Sequence, residues 1–132
     1  MTPEEFDWTD EDLYLIAERG HLLYLQGRFD EARILFEGLV SINPRDWYFS
    51  NALAAIYLKL GKPQDAVGLL DELLRQHPAD IESRIRRCEA LIEAGRHEEA
   101  KAQLIELRSR HNDPRVKQLA LRLGLRRKAT SE

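Results

Sequence analysis

GRFDEA at residues 27–32 returns as GKPQDA at 61–66 and again as GRHEEA at 95–100, with a spacing of 34 residues each time. Each copy opens on a glycine and closes on an alanine preceded by Asp or Glu. A glycine takes the left-handed backbone that ends a helix without a Cβ penalty. An alanine lets two helices approach closely. The stretch therefore reads as the turn of a helical hairpin, written three times in register.

The residues between the turns agree. Leu13, Ile16, Ala17, Leu22, Leu23, Tyr24 and Leu25 make a broad apolar face at helical spacing, and Ala32, Leu35, Phe36, Leu39, Val40 and Ile42 make a second one. Leu53, Ile56, Tyr57 and Leu60, then Ala66, Leu69, Leu70, Leu73 and Leu74, repeat the pair. Ile85, Cys88, Leu91 and Ile92, then Ala100, Leu104, Ile105 and Leu107, repeat it again. Leu39, Leu73 and Leu107 hold one column, and Pro44 and Pro78 are placed to stop the second helix of the first two hairpins. In the third copy the proline slips to Pro114.

This pattern resembles the tetratricopeptide repeat family, with repeats at 13–46, 47–80 and 81–114. The resemblance implies an all-α fold, a right-handed superhelical solenoid of three helix–turn–helix units. Arg19 and Arg87 depart from the family's leucine, and Pro63 from its aromatic. Pro63 is expected in the first turn of its helix, where its ring is tolerated. A single domain is expected over 1–128, with an acidic N-terminal cap at 1–12, a capping helix at 115–124 and a basic, polar tail at 125–132. Thr2-Pro3-Glu4-Glu5 has capping-box spacing for a short helical turn, and Thr9 to Asp12 starts the first long helix. Val116, Leu119, Ala120 and Leu123 form the stripe that covers the open edge of repeat three, and Gly124 ends that helix.

Composition narrows the functions. The chain has 132 residues, 43 % hydrophobic and 33 % charged, with a formal net charge of −3. It is long enough for one core and shows no cationic surplus for nucleic acid or a membrane surface. Arg122, Arg126, Arg127 and Lys128 lack the interleaved aromatics that stack on bases. Cys88 is the single cysteine, which excludes an intrachain disulfide and fits a reducing cytoplasm. MTPEEFDWTDED carries six acidic side chains and no basic one, opposite to a secretory signal. No apolar run approaches the ~18 residues of a membrane span.

Reactive constellations are sparse. His77 and His111 share a column but have no third ligand in register, so no metal site is expected. Cys88 shares the small-residue column of Gly20 and Ala54 and reads as packing. Arg84, Arg86 and Arg87 read as an anion site or as a solvated face balanced by Glu82 and Glu89. No nucleophile with its base and no phosphate loop is present, so neither catalysis nor a cofactor is expected.

In the family the first helix of each repeat lines a concave surface. Carried over by column, the lining is Tyr14, Ala17, His21, Tyr24 and Leu25 in repeat one, with Tyr48, Asn51, Ala55, Leu58 and Lys59 in repeat two. Glu82, Ile85, Glu89, Ile92 and Glu93 complete it in repeat three. The tyrosines and branched aliphatics suit an interface, although Tyr24 and Leu25 also suit packing between helices. Lys59, Glu89 and Glu93 are expected to select charge, favouring a guest with apolar anchors and a basic flank. Family members that clamp chaperone tails use lysines, asparagines and arginine at columns that here hold Ala17, His21, Ala52, Glu82 and Arg86, and only Arg86 conforms. A weaker resemblance, carried by residues 27–62, is to the cytoplasmic translocator chaperones of bacterial type III secretion, though the N-terminal extension is shorter. The expected partner is another protein or a peptide segment. The alternative is a scaffold or homodimer working through the convex face or the last helix, where Leu121 and Leu125 lie off the apolar stripe.

Overall fold

Gly27, Gly61, Gly95 and Gly124 take φ of 76°, 70°, 78° and 71°. These are the left-handed values expected where a helix ends. In the first turn the Gly27 amide donates to the Tyr24 carbonyl at 3.0 Å and the Arg28 amide to that of Leu23 at 2.9 Å. This is the paired closure of a Schellman motif. Lys62 to Tyr57 at 2.8 Å, Arg96 to Leu91 at 2.8 Å and Leu125 to Ala120 at 2.9 Å repeat the longer bond. The recurring turn is therefore a helix stop that uses the same backbone bonds each time.

The computed structural model describes residues 7–125. They form α1 (Asp10–Leu25), α2 (Phe29–Ile42), α3 (Trp47–Lys59), α4 (Pro63–Gln76), α5 (Ile81–Glu93), α6 (His97–Arg110) and α7 (Pro114–Arg122). The expected helical turn at Thr2–Glu5 and the tail from Arg126 onward lie outside the described residues. Within them no helix is long and apolar enough to cross a membrane.

The hairpins begin with side-chain caps. Thr9 and Asp12 exchange a capping box, with bonds of 3.1 and 3.0 Å. Asp46, Asp80 and Asp113 accept from the backbone amides of Phe49, Ser83 and Arg115. The second helices have no side-chain cap, because the Schellman turn leads straight into them. Pro63 sits in the first turn of α4 as expected, and α2 and α4 stop before Pro44 and Pro78.

Packing follows chain order. Ala32, Ala66 and Ala100 are fully buried where the paired helices meet. The first core cluster joins α1, α2 and α3 through Leu13, Leu23, Phe36, Leu39, Phe49 and Ile56. The second joins α3 to α6 through Val67, Leu70, Ala90 and Leu91. The third joins α5 and α6 to Val116 and Leu119 of α7, which covers the last hairpin. Cys88 is buried there, and burial pushes its thiol up to about 12. Arg87, one of the departures from the family pattern, bridges Asp71 on α4 at 2.6 Å and reaches Glu99 on α6 at 3.8 Å.

Candidate functional site

The side of the solenoid shared by α1, α3 and α5 holds a cavity of about 270 Å³. His21 and Tyr24 come from α1, Phe36 from α2, and Trp47, Tyr48, Asn51, Ala52, Ala55 and Ile56 from α3, while Glu82 and Arg86 close it from α5. Phe36 and Ile56, each 1 % exposed, form its floor. Gly20 makes that floor possible. A Cβ there would stand 2.6 Å from the Phe36 ring, so only glycine lets the ring lie under α1.

One wall is aromatic. Tyr48 meets Phe36 edge-on with centroids 6.2 Å apart, and Phe49 at a tilt with centroids 6.0 Å apart. Tyr14 extends the row onto Phe49 at 5.8 Å. Such contacts hold large apolar surfaces rigidly while the phenol tips stay wet. Partial burial, with Asp46 nearby, raises the Tyr48 phenol above its ordinary pKa.

A polar chain forms the opposite end. The Trp47 indole donates to Asp80 at 2.6 Å, and the Ser83 hydroxyl donates to the same carboxylate. Ser83 in turn accepts from the Asn51 amide at 3.0 Å. Arg86 donates to the Asn51 side-chain oxygen, and to its backbone carbonyl at 3.1 Å. Ser83 and Asn51 are both buried, and each polar atom of their side chains has a hydrogen-bond partner. The chain ties α3 to α5 and fixes the mouth of the cavity.

Several candidate lining residues meet here: His21, Tyr24, Tyr48, Asn51 and Ala55 all border the cavity. Others do not. Ala17 and Ile85 are 1 % exposed and belong to the first and third core clusters. Leu58 and Ile92 are partly buried against the second. Asn51 is spent on Ser83 and Arg86 rather than offered to a guest. Tyr14 and Leu25 are exposed beside the cavity rather than in it, at 54 % and 66 %. Lys59 and Glu93 are also exposed, and Glu89 is half-buried. Trp47 and Phe36 border the cavity but were absent from the sequence-derived set. The signal for Trp47 was an indole in a column that otherwise holds Leu13 and Ile81.

The charges differ from expectation too. Glu82 receives two bonds of 2.7 Å from Arg115 on α7, and these hold its carboxyl below the ordinary range. Glu93 is paired with Arg122 at 3.1 Å. The acidity expected of repeat three is thus largely answered by α7. Of the three arginines of α5, Arg86 helps to hold down the Glu82 carboxyl, and all three also reach groups beyond their own helix. Arg84 donates to the Pro78 carbonyl at 2.7 Å, Arg86 to Asn51 and Arg87 to Asp71. A second, larger cavity of about 790 Å³ lies between α6 and α7, lined by Ile105, Arg108, Ser109, Lys117, Ala120, Leu121 and Leu125. Among the described residues no three His, Cys, Asp or Glu side chains are grouped to hold a metal.

No curated protein matches this chain by sequence. The chain superposes on the first TPR of Spaghetti (RPAP3) bound to the HSP90 peptide SRMEEVD, with a TM-score of 0.79 and 19 % identity, covering 88 % of this chain and 93 % of that one. The Arabidopsis OM64 TPR domain gives a TM-score of 0.77 at 21 % identity, with 86 % and 94 % covered. The Yersinia enterocolitica type III secretion chaperone SycD, in complex with a peptide of the translocator YopD, gives 0.74 at 19 % identity, with 90 % and 92 % covered. At these identities the likeness speaks to the fold. The tetratricopeptide repeat family matches in sequence over residues 23–84 and 57–123, most of the chain. With its hairpins, turns and small-residue columns in register, this chain belongs to the tetratricopeptide repeat family.

Proposed function

We propose that the chain is a protein-interaction adaptor that holds a segment of a partner along the face shared by α1, α3 and α5. One apolar side chain of that segment seats in the cavity. The observation that carries this reading is the cavity itself: about 270 Å³, walled by Tyr24, Trp47 and Tyr48 and floored by Phe36 and Ile56. That volume is just under the range of small-molecule sites, roughly 300–1,000 Å³, and suits one or two side chains. Trp47, Asn51, Glu82 and Arg86 are each already held by a partner within the chain, so the cavity offers area and shape rather than chemistry for turnover. The protein works by recognition.

The neighbours in fold support a peptide guest, since solved complexes among them hold peptides. An acidic carboxyl tail of the kind bound by RPAP3 is disfavoured here. Ala17 and Ala52 supply no cation, and Glu82 places a carboxylate at the rim. An apolar client segment fits better, and among the neighbours in fold the secretion chaperone SycD holds a peptide of the translocator YopD. The narrower reading is a cytoplasmic bacterial chaperone that shields such a segment until its client is used.

Peptides displayed from a random library and selected on the intact protein provide a ligand of measurable affinity. Tyr24→Ala combined with Tyr48→Ala should weaken its binding about a hundredfold or more, as loss of two aromatic anchors does. Unchanged affinity in the double variant would place binding elsewhere.

A further inference from the structure

Each interior hairpin is sealed on its leading side by the hairpin before it, and the sealing columns recur with the repeat. In α3 they hold Phe49 and Ile56, each 1 % exposed, and in α5 they hold Ser83 and Ala90, each 0 % exposed. The same columns in α1 hold Leu15 and Leu22, 60 % and 45 % exposed. Both leucines thus stand where a preceding hairpin would pack, and none of the described residues covers them. Between them lie Glu18 and Arg19, both exposed and neither ion-paired within the described residues. Arg19 replaces the leucine of the family pattern, and its equivalent Leu53 is buried.

A solenoid end built for water carries a polar outer face. This one keeps apolar side chains at both interface columns and divides them with one charge of each sign. We propose that it pairs with the same face of a second copy of the chain, with the two α1 helices antiparallel. Leu15, Glu18 and Leu22 follow the three-then-four spacing of a helix–helix seam. When Leu15 of one chain is set against Leu22 of the other, the two-fold axis falls between residues 18 and 19. Glu18 of each chain then faces Arg19 of the other, twice by symmetry. A parallel pair would set Glu18 on Glu18 and Arg19 on Arg19, so the charges select the antiparallel arrangement. None of these four residues borders the cavity, so a dimer of this kind presents two open cavities to a partner.

Sedimentation equilibrium of the full chain over a concentration series tests the pairing. The mass should rise from the 15.4 kDa monomer to twice that value. Leu15→Glu with Leu22→Glu should hold the protein monomeric with its helical circular dichroism intact, since both side chains are already exposed. Arg19→Glu alone should raise the dimer dissociation constant about tenfold or more, because it makes both cross-pairs repulsive. Adding Glu18→Arg to that variant exchanges the two charges and should restore the parent constant. This rescue keeps the test decisive even if the leucine variant unfolds. A monomer at every concentration overturns the proposal, as does a dimer that survives the leucine changes. Open-ended oligomers, or a dimer indifferent to charge reversal and exchange, overturn it equally.

Discussion

Asn51 shows how far a column assignment reaches. The column carried over from the family places it on the lining face of α3, and it borders the cavity there. What spacing does not tell is where its amide goes, and here it goes to Ser83 at 3.0 Å. Ser83→Ala would leave that buried N–H without an acceptor and remove a donor to Asp80. Urea denaturation should show a loss of about 1–3 kcal/mol. The exposed Ser109→Ala should stay within about 0.5 kcal/mol of the parent. Asp80 adds a pH dependence. Partial burial works to raise its carboxyl, but the bonds from Ser83 and Trp47 prevail and leave it lowered. A carboxyl lower in the folded than in the unfolded state stabilises fully above its unfolded value, about 3.9, and loses that contribution as pH falls toward the folded value. The stability gap between the parent and Asp80→Asn should therefore be constant near neutrality and shrink below about pH 4. Cys88 was legible as packing from its small-residue column. With its thiol pushed up to about 12 and buried, labelling by a thiol reagent at mildly alkaline pH should run about a hundredfold or more slower than in urea.

At the scale of the element, the sequence was most transparent at the turns, because a glycine every 34 residues has one physical job. Gly61 has a φ of +70° and nothing within 4 Å of a would-be Cβ. Gly61→Ala is thus free of clashes and still costs about 1–2 kcal/mol through its backbone. Gly68, inside α4, also has open space but ordinary helical geometry. Gly68→Ala should stabilise by about 1 kcal/mol. Opposite shifts in thermal midpoint for two Gly→Ala changes seven residues apart would establish that conformation, not volume, fixes the turn. The helix starts were equally readable at Thr9 and Pro63. Less readable were bonds between elements distant in sequence. The Arg115–Glu82 pairing joins α7 to α5, and no periodicity links residues 33 apart by charge. That is why repeat three read as acidic in sequence and is largely neutralised in the fold.

Over the whole molecule, the 34-residue period was enough to give the solenoid, since each hairpin repeats the same stop, the same close helix contact and the same core column. The site followed only in part. The family resemblance, carried over by column, implied the shared side of α1, α3 and α5, and with it Tyr24, Tyr48 and Ala55. It could not separate residues that face the cavity from those one step around the helix that seal it, such as Ala17 and Ile85, both 1 % exposed. Nor could it supply Phe36, which reaches the cavity from α2 because Gly20 makes room for its ring. The most direct test is a two-dimensional nitrogen–proton NMR titration of the labelled protein with a library-selected peptide. Bound-state shift changes should cluster on Tyr24, the Trp47 indole, Tyr48, Ala52 and Ala55. Changes confined to α6 and α7, with the Trp47 indole resonance unmoved, would contradict a guest seated in this cavity.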